Sequence, residues 1–171
     1  MYTLASDEKV TPVMVYTQNA LVRGELVTKM IARVNIWLRM QAQSYYVHVH
    51  KAQVLMLGGP LTKSFSYDEL FVPIAQVVGF HLVSQGEETL DYDPSEPNRT
   101  MHDVQFSLGN FSAKGKVRIS THADFATSIE VAHAGWLSVY DAELTTLFVP
   151  QFPAFHTPMM LVNPAFVTFG V

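Results

Sequence analysis

Apolar and polar residues alternate with period two through much of this chain, and the same alternation occurs twice. In residues 13–27, VMVYTQNALVRGELV, Val13 and Val15 share one face, while Val22 and Leu26 share the core face of the next segment through Gly24. In residues 104–118, VQFSLGNFSAKGKVR, the corresponding places are held by Val104, Phe106, Ala113 and Val117. Asn19 falls on Asn110, Arg23 on Lys114 and Gly24 on Gly115, an offset of 91. VHVHKAQVLML (47–57) then matches LSVYDAELTTL (137–147) at an offset of 90, and VPIAQVVGFHL (72–82) matches the terminal VNPAFVTFGV at about 89. Three blocks in one order, drifting by a residue at each loop, mark a duplicated unit. Period-two alternation predicts strands, and the Asn- and Gly-bearing segments between them predict hairpin turns.

A third strand is predicted where Val34, Ile36, Leu38 and Met40 alternate, matched by Phe125, Thr127, Ile129 and Val131. The opposite face changes from Arg33, Asn35, Trp37 and Arg39 to Asp124, Ala126, Ser128 and Glu130, as a surface would. In a fourth strand Val47 and Val49 (Leu137 and Val139 in the second copy) face the core. Tyr46, His48 and His50 then face outward, as do Trp136, Ser138 and Tyr140. Loops at 58–67 and 150–158 lead to short closing strands ending at Leu82 and Val171. Each unit thus counts five strands and no helix, and such a sheet closes best as a small barrel without exposed edges.

At this point each unit resembles an Sm-like (LSm) small β-barrel. The residues carrying the resemblance are Gly24, Leu26, the run Val34-Asn35-Ile36-Trp37-Leu38, and the pair Ile74 and Val77 near the closing strand. It covers most of 13–82 and, more faintly, 104–171. The resemblance implies an all-β fold of two tandem five-stranded Sm-like barrels, and rings formed by pairing strand edges between neighbours. The family's uridine pocket does not carry over. Lys29 and Met30 stand near the place of its loop Asp, Val72-Pro73 replaces its Arg–Gly, and Asn35 is the one remnant.

Composition narrows the function classes. Of 171 residues 49% are hydrophobic and only 15% charged, low against roughly 25% in soluble domains, which favours extra buried surface and hence a homo-oligomer. There is no Cys, which excludes thiol nucleophiles and cysteine-bound metals, and the N-terminus shows no signal-peptide pattern. No apolar run is long enough for a membrane helix, so a cytoplasmic protein without a membrane partner is expected. Net charge is −4 and uneven: residues 1–82 carry +2, 83–103 carry −5 and 104–171 carry −1. The middle segment, rich in acids, Pro, Gly and Ser, reads as a solvated linker.

Two groups of side chains are candidate interface or ligand-binding residues. Arg33, Asn35, Trp37 and Arg39 would form a basic, aromatic strand face, suited to a protein interface, to packing between barrels, or to stacking on single-stranded nucleic acid. Tyr46, His48 and His50 would line the next strand, with the two imidazoles spaced to reach one metal. His81, His102, His122, His133 and His156 are scattered, and the sequence places no third ligand beside the pair, so neither metal nor cofactor is expected. Lys114 and Lys116 read as ordinary surface charges. No nucleophile elbow, phosphate loop, dinucleotide fingerprint or His-Glu-x-x-His motif occurs, so no enzyme is expected.

The expectation is therefore a non-catalytic oligomeric scaffold or protein-interaction module, ring-like in assembly. Its units span residues 10–82 and 103–171 and are joined by an acidic linker at 83–102. The alternative is single-stranded nucleic-acid binding through the basic-aromatic face of the first unit; the net charge does not favour it.

Overall fold

The structure is a computed structural model and describes residues 3–40, 44–58, 62–86, 88–132, 135–146, 149 and 153–171. Among the described residues, ten strands form one open antiparallel sheet in the order β10-β6-β7-β8-β9-β5-β1-β2-β3-β4. The first half supplies β1 (Glu8–Tyr16), β2 (Ala20–Lys29), β3 (Tyr46–Met56), β4 (Lys63–Pro73) and β5 (Gly79–Leu82). The second supplies β6 (Arg99–Leu108), β7 (Phe111–Ser120), β8 (Leu137–Thr145), β9 (Phe155–Val162) and β10 (Val167–Gly170). Each half has the same internal order, with its last strand beside its first and its fourth strand outermost. The halves join where β5 pairs with β9, Phe80 opposite Leu161 and Gly79 opposite Val162.

That junction explains the densest apolar runs. Val13 and Val15 point into a core dominated by the first half, whereas Met14 and Tyr16 on the other face enter a core dominated by the second. In β9, Met159 and Leu161 join the first core, and Met160 and Val162 join the second. Strands buried on both faces read as continuous hydrophobic runs rather than alternating ones, as VMVY and MMLV do. The all-β expectation holds, and the described strands form one open sheet whose edges are β4 and β10.

The repeat extends to an irregularity. Opposite Gly24 of β2 the β3 strand bulges, with Lys51 at φ 48°, and opposite Gly115 of β7 the β8 strand bulges at Asp141 with φ 49°. Beside the bulge His50 is buried at 7% exposure, correcting its assignment to the surface; Tyr140, its counterpart, is likewise buried.

The predicted third strand is helical in both halves. Val34–Ile36 form a 3-10 turn that runs into α1 (Trp37–Met40), and α2 spans Phe125–Ala132. Over seven residues the apolar positions fit either period: Val34 and Leu38, four apart, are buried on one side of a helical turn, while Met40 and Val131, expected in the core, are exposed. The first turn is capped at long range. The Glu88 carboxylate accepts the N–H of Val34 at 2.8 Å and of Asn35 at 2.9 Å, satisfying two donors a helix start leaves open. In α2 the cap is local, the Thr127 N–H donating to Asp124 Oδ1 at 2.7 Å. Asp124 before an apolar pair was the sequence signal for this helix.

The segments read as loops carry strand instead. β4 begins at Lys63 and β9 at Phe155, while 59–61 and 150–152 lie outside the described residues. Strand β6 begins at Arg99, inside the segment read as linker.

Candidate functional site

The two groups of candidate residues occupy different places. Arg33, Asn35, Trp37 and Arg39 form no strand face; they sit on the 34–40 helical turn or just before it, against the linker and the second half. Arg33 Nη2 donates to the Thr89 carbonyl at 2.9 Å, and Asn35, 3% exposed, donates through Nδ2 to the same carbonyl at 2.8 Å. Asn35 Oδ1 is buried with no hydrogen-bond donor among the described residues, and Trp37 packs half-buried against the first core.

Arg39 is the centre of the seam. Its Nη1 pairs with the Asp91 carboxylate, its Nη2 donates to Ser138 Oγ at 2.7 Å, and its Nε donates to the Trp136 carbonyl at 3.1 Å. Asp91 also accepts from Ser138 Oγ at 2.7 Å and from Tyr140 Oη at 2.6 Å. Burial alone would raise the Asp91 pKa, but the hydrogen bonds from Tyr140, Ser138 and Arg39 outweigh it and hold the carboxyl below its ordinary range. Burial, together with the bond to Asp91, pushes the Tyr140 hydroxyl well above its usual value. The arrangement is an ionic lock between α1, the linker and β8.

The linker is therefore no solvated tether. Besides Glu88 and Asp91, Glu96 pairs with Arg118 at 2.5 Å, and the Arg118 guanidinium lies 4.7 Å over the Tyr92 ring. The acidic residues 88–96 strap both halves by pairing with Lys9, Arg39 and Arg118.

Tyr46, His48 and His50 lie on β3 beside the edge strand β4. The ring of His48 stacks on Phe71 of β4 at 4.2 Å and 13°, and lies 4.2 Å from the ring of His50. His48 Nε2 is 3.2 Å from Glu69 Oε2, and Glu69 stands directly opposite His50 in the register. Burial, then the neighbouring His48 charge, lower the His50 pKa. Sequence reading found the imidazoles but not Glu69, because it is the pairing of β4 with β3 that brings Glu69 opposite His50.

Among the remaining histidines, His81 is buried. Its Nδ1–H donates to the Leu82 carbonyl at 2.7 Å, which leaves Nε2 to accept the Tyr16 hydroxyl at 2.9 Å. Burial holds its pKa down at about 4, so the ring is neutral. His102 stacks on Phe125, away from the His48 pair, and His133 lies outside the described residues. Lys114 and Lys116 border an open cleft of about 610 Å³ with Asp103, Asp141 and Glu143, and Lys116 pairs with Asp141 at 3.2 Å. Among the described residues no helix is long and apolar enough to cross a membrane.

Compared with protein-family models, with curated proteins and with solved structures, the chain matches none, so its function is read from its own geometry.

Proposed function

We propose that this chain is a non-catalytic scaffold built from two Sm-like units that assembles with copies of itself, head to tail, through β10 and β4. One observation carries the reading: the β5–β9 junction inside the chain joins the two halves, and the two edges of the sheet, β10 and β4, are the strands that would make the same contact again. Because Val15 pairs with Phe80 and Phe106 with Phe169, β10 repeats β5 at an offset of 89. Because Val49 pairs with Leu70 and Val139 with Met160, β9 repeats β4 at an offset of 90. The internal pair Phe80–Leu161 therefore becomes Phe169 of one chain opposite Phe71 of the next.

The surface of β4 suits this use. It is eleven residues long, and Phe65, Tyr67 and Phe71 are 44%, 45% and 54% exposed along it. A long unpaired edge is a pairing template, and a heterologous contact of this kind makes a ring when its rotation closes. Three chains would bring together six units.

Light scattering coupled to size exclusion measures the mass. The chain has no cysteine, so the Phe71→Cys/Phe169→Cys protein reports the register without background. Directly opposed residues have Cα atoms about 4.5–5.5 Å apart, within disulfide reach, so oxidation is expected to link chains. A stable species of 19.1 kDa at high concentration would overturn the proposal. The basic-aromatic group supports no second reading, since Arg33 and Arg39 are engaged inside the chain.

A further inference from the structure

Three metal-ligating side chains converge at the β3–β4 edge. The ligand atoms of His48, His50 and Glu69 all lie within 4.8 Å of one another. Their convergence has a definite origin: His48 and His50, two apart on β3, share one strand face with rings 4.2 Å apart, and the β3–β4 register sets Glu69 opposite His50. We propose that His48, His50 and Glu69 bind one divalent transition-metal ion of the zinc class.

Geometry and chemistry agree on this. Zinc bonds of about 2.0–2.2 Å in a tetrahedron require neighbouring ligand atoms roughly 3.3–3.5 Å apart. His48 Nε2 and Glu69 Oε2 already stand at 3.2 Å, and the widest pair in the cluster has little over an ångström to close. His50 is 7% exposed and His48 is stacked on Phe71, so both imidazoles are held, while the Glu69 side chain is 53% exposed and has room to adjust. Two imidazoles and one carboxylate suit zinc and its late first-row neighbours rather than magnesium or calcium, which take all-oxygen sets. Three protein ligands leave a fourth tetrahedral position for water or for a donor from another molecule.

A salt bridge alone explains less. An exposed His48–Glu69 pair is worth little, and it gives no reason for a second imidazole at the same point. The duplicated half offers a comparison. The positions equivalent to His48, His50 and Glu69 are Ser138, Tyr140 and Met159, and there the Asp91 carboxylate joins the two hydroxyls. The same sheet position thus collects a polar group in both halves. In the second it is a carboxylate from the linker, and in the first its ligand set is that of a metal.

The site lies within one chain and does not depend on assembly. The test is titration of chelator-treated, full-length protein with ZnCl₂ by calorimetry and with CoCl₂ by visible absorbance. Expected are one equivalent per chain and the intense visible bands of four-coordinate cobalt. His48→Ala and Glu69→Gln, both at partly exposed positions, should each weaken binding by about tenfold or more, by the scale known for metal-site substitutions. His122→Ala, on an exposed turn, should leave it unchanged. His50→Ala completes the set if circular dichroism shows it folded. Absence of saturable zinc uptake, or uptake untouched by both His48→Ala and Glu69→Gln, would overturn the proposal.

Discussion

A Cβ placed on Gly24 would stand 2.4 Å from Cγ1 of Val49 and 2.8 Å from the carbonyl of His50. The β2 backbone therefore passes β3 at a distance only glycine permits, at the bulge marked by the positive φ of Lys51. Gly115 and Val139 repeat the relationship, with a Cβ-to-Cγ1 distance of 2.6 Å.

Gly24→Ala is accordingly expected to destabilise the fold by about 1–3 kcal/mol, the usual cost of overpacking, and Gly115→Ala by a similar amount. Gly135→Ala, where an added Cβ meets none of the described residues within 4 Å, serves as the control. Urea midpoints at constant m-value give the comparison.

Asp91→Asn should loosen the seam between the halves. It removes the negative charge that Arg39, Ser138 and Tyr140 share, and breaking a largely buried ionic cluster costs about 3 kcal/mol. Because the folded pKa of Asp91 is lowered, its contribution is present above the ordinary carboxylate range and is lost as pH falls through the folded value. The difference in unfolding free energy between wild type and variant should therefore shrink in acid.

His81 predicts a second pH effect, in a higher window. Its folded pKa of about 4 lies below the ordinary 6.5, so between those values the unfolded chain binds a proton that the folded chain refuses. Stability is full above pH 6.5 and falls by about 1.4 kcal/mol per unit below it, or about 2 kcal/mol by pH 5. Denaturation at pH 7.5 and 5.0 should show this loss in wild type and not in a folded His81→Gln protein.

Phe71→Lys should abolish chain–chain association while leaving the monomer folded. Phe71 is 54% exposed on the edge strand, so its loss removes little core, and a lysine on an edge discourages pairing. Size exclusion with light scattering should return the 19.1 kDa mass, with an unchanged circular dichroism spectrum.

Much of this protein was determined by sequence alone. The duplication, the hairpins β1–β2 and β6–β7, the core faces through Val13, Val15, Val22 and Leu26, and the paired glycines are all local in period or spacing. The tertiary structure decided what depends on distant partners. Val34–Met40 alternates like a strand but becomes a helical turn, because burial of Val34 and Leu38 and a cap from Glu88, fifty-four residues away, outweigh a short and ambiguous pattern. The linker acids look solvated until Lys9, Arg39 and Arg118 meet them. His48 and His50 gain Glu69 only through strand register, and the two cores are shared between halves only because β5 pairs with β9. Periodicity reports which way a side chain faces along its own strand; which strand lies next to it is set by pairing across the chain, and that pairing assembles the site.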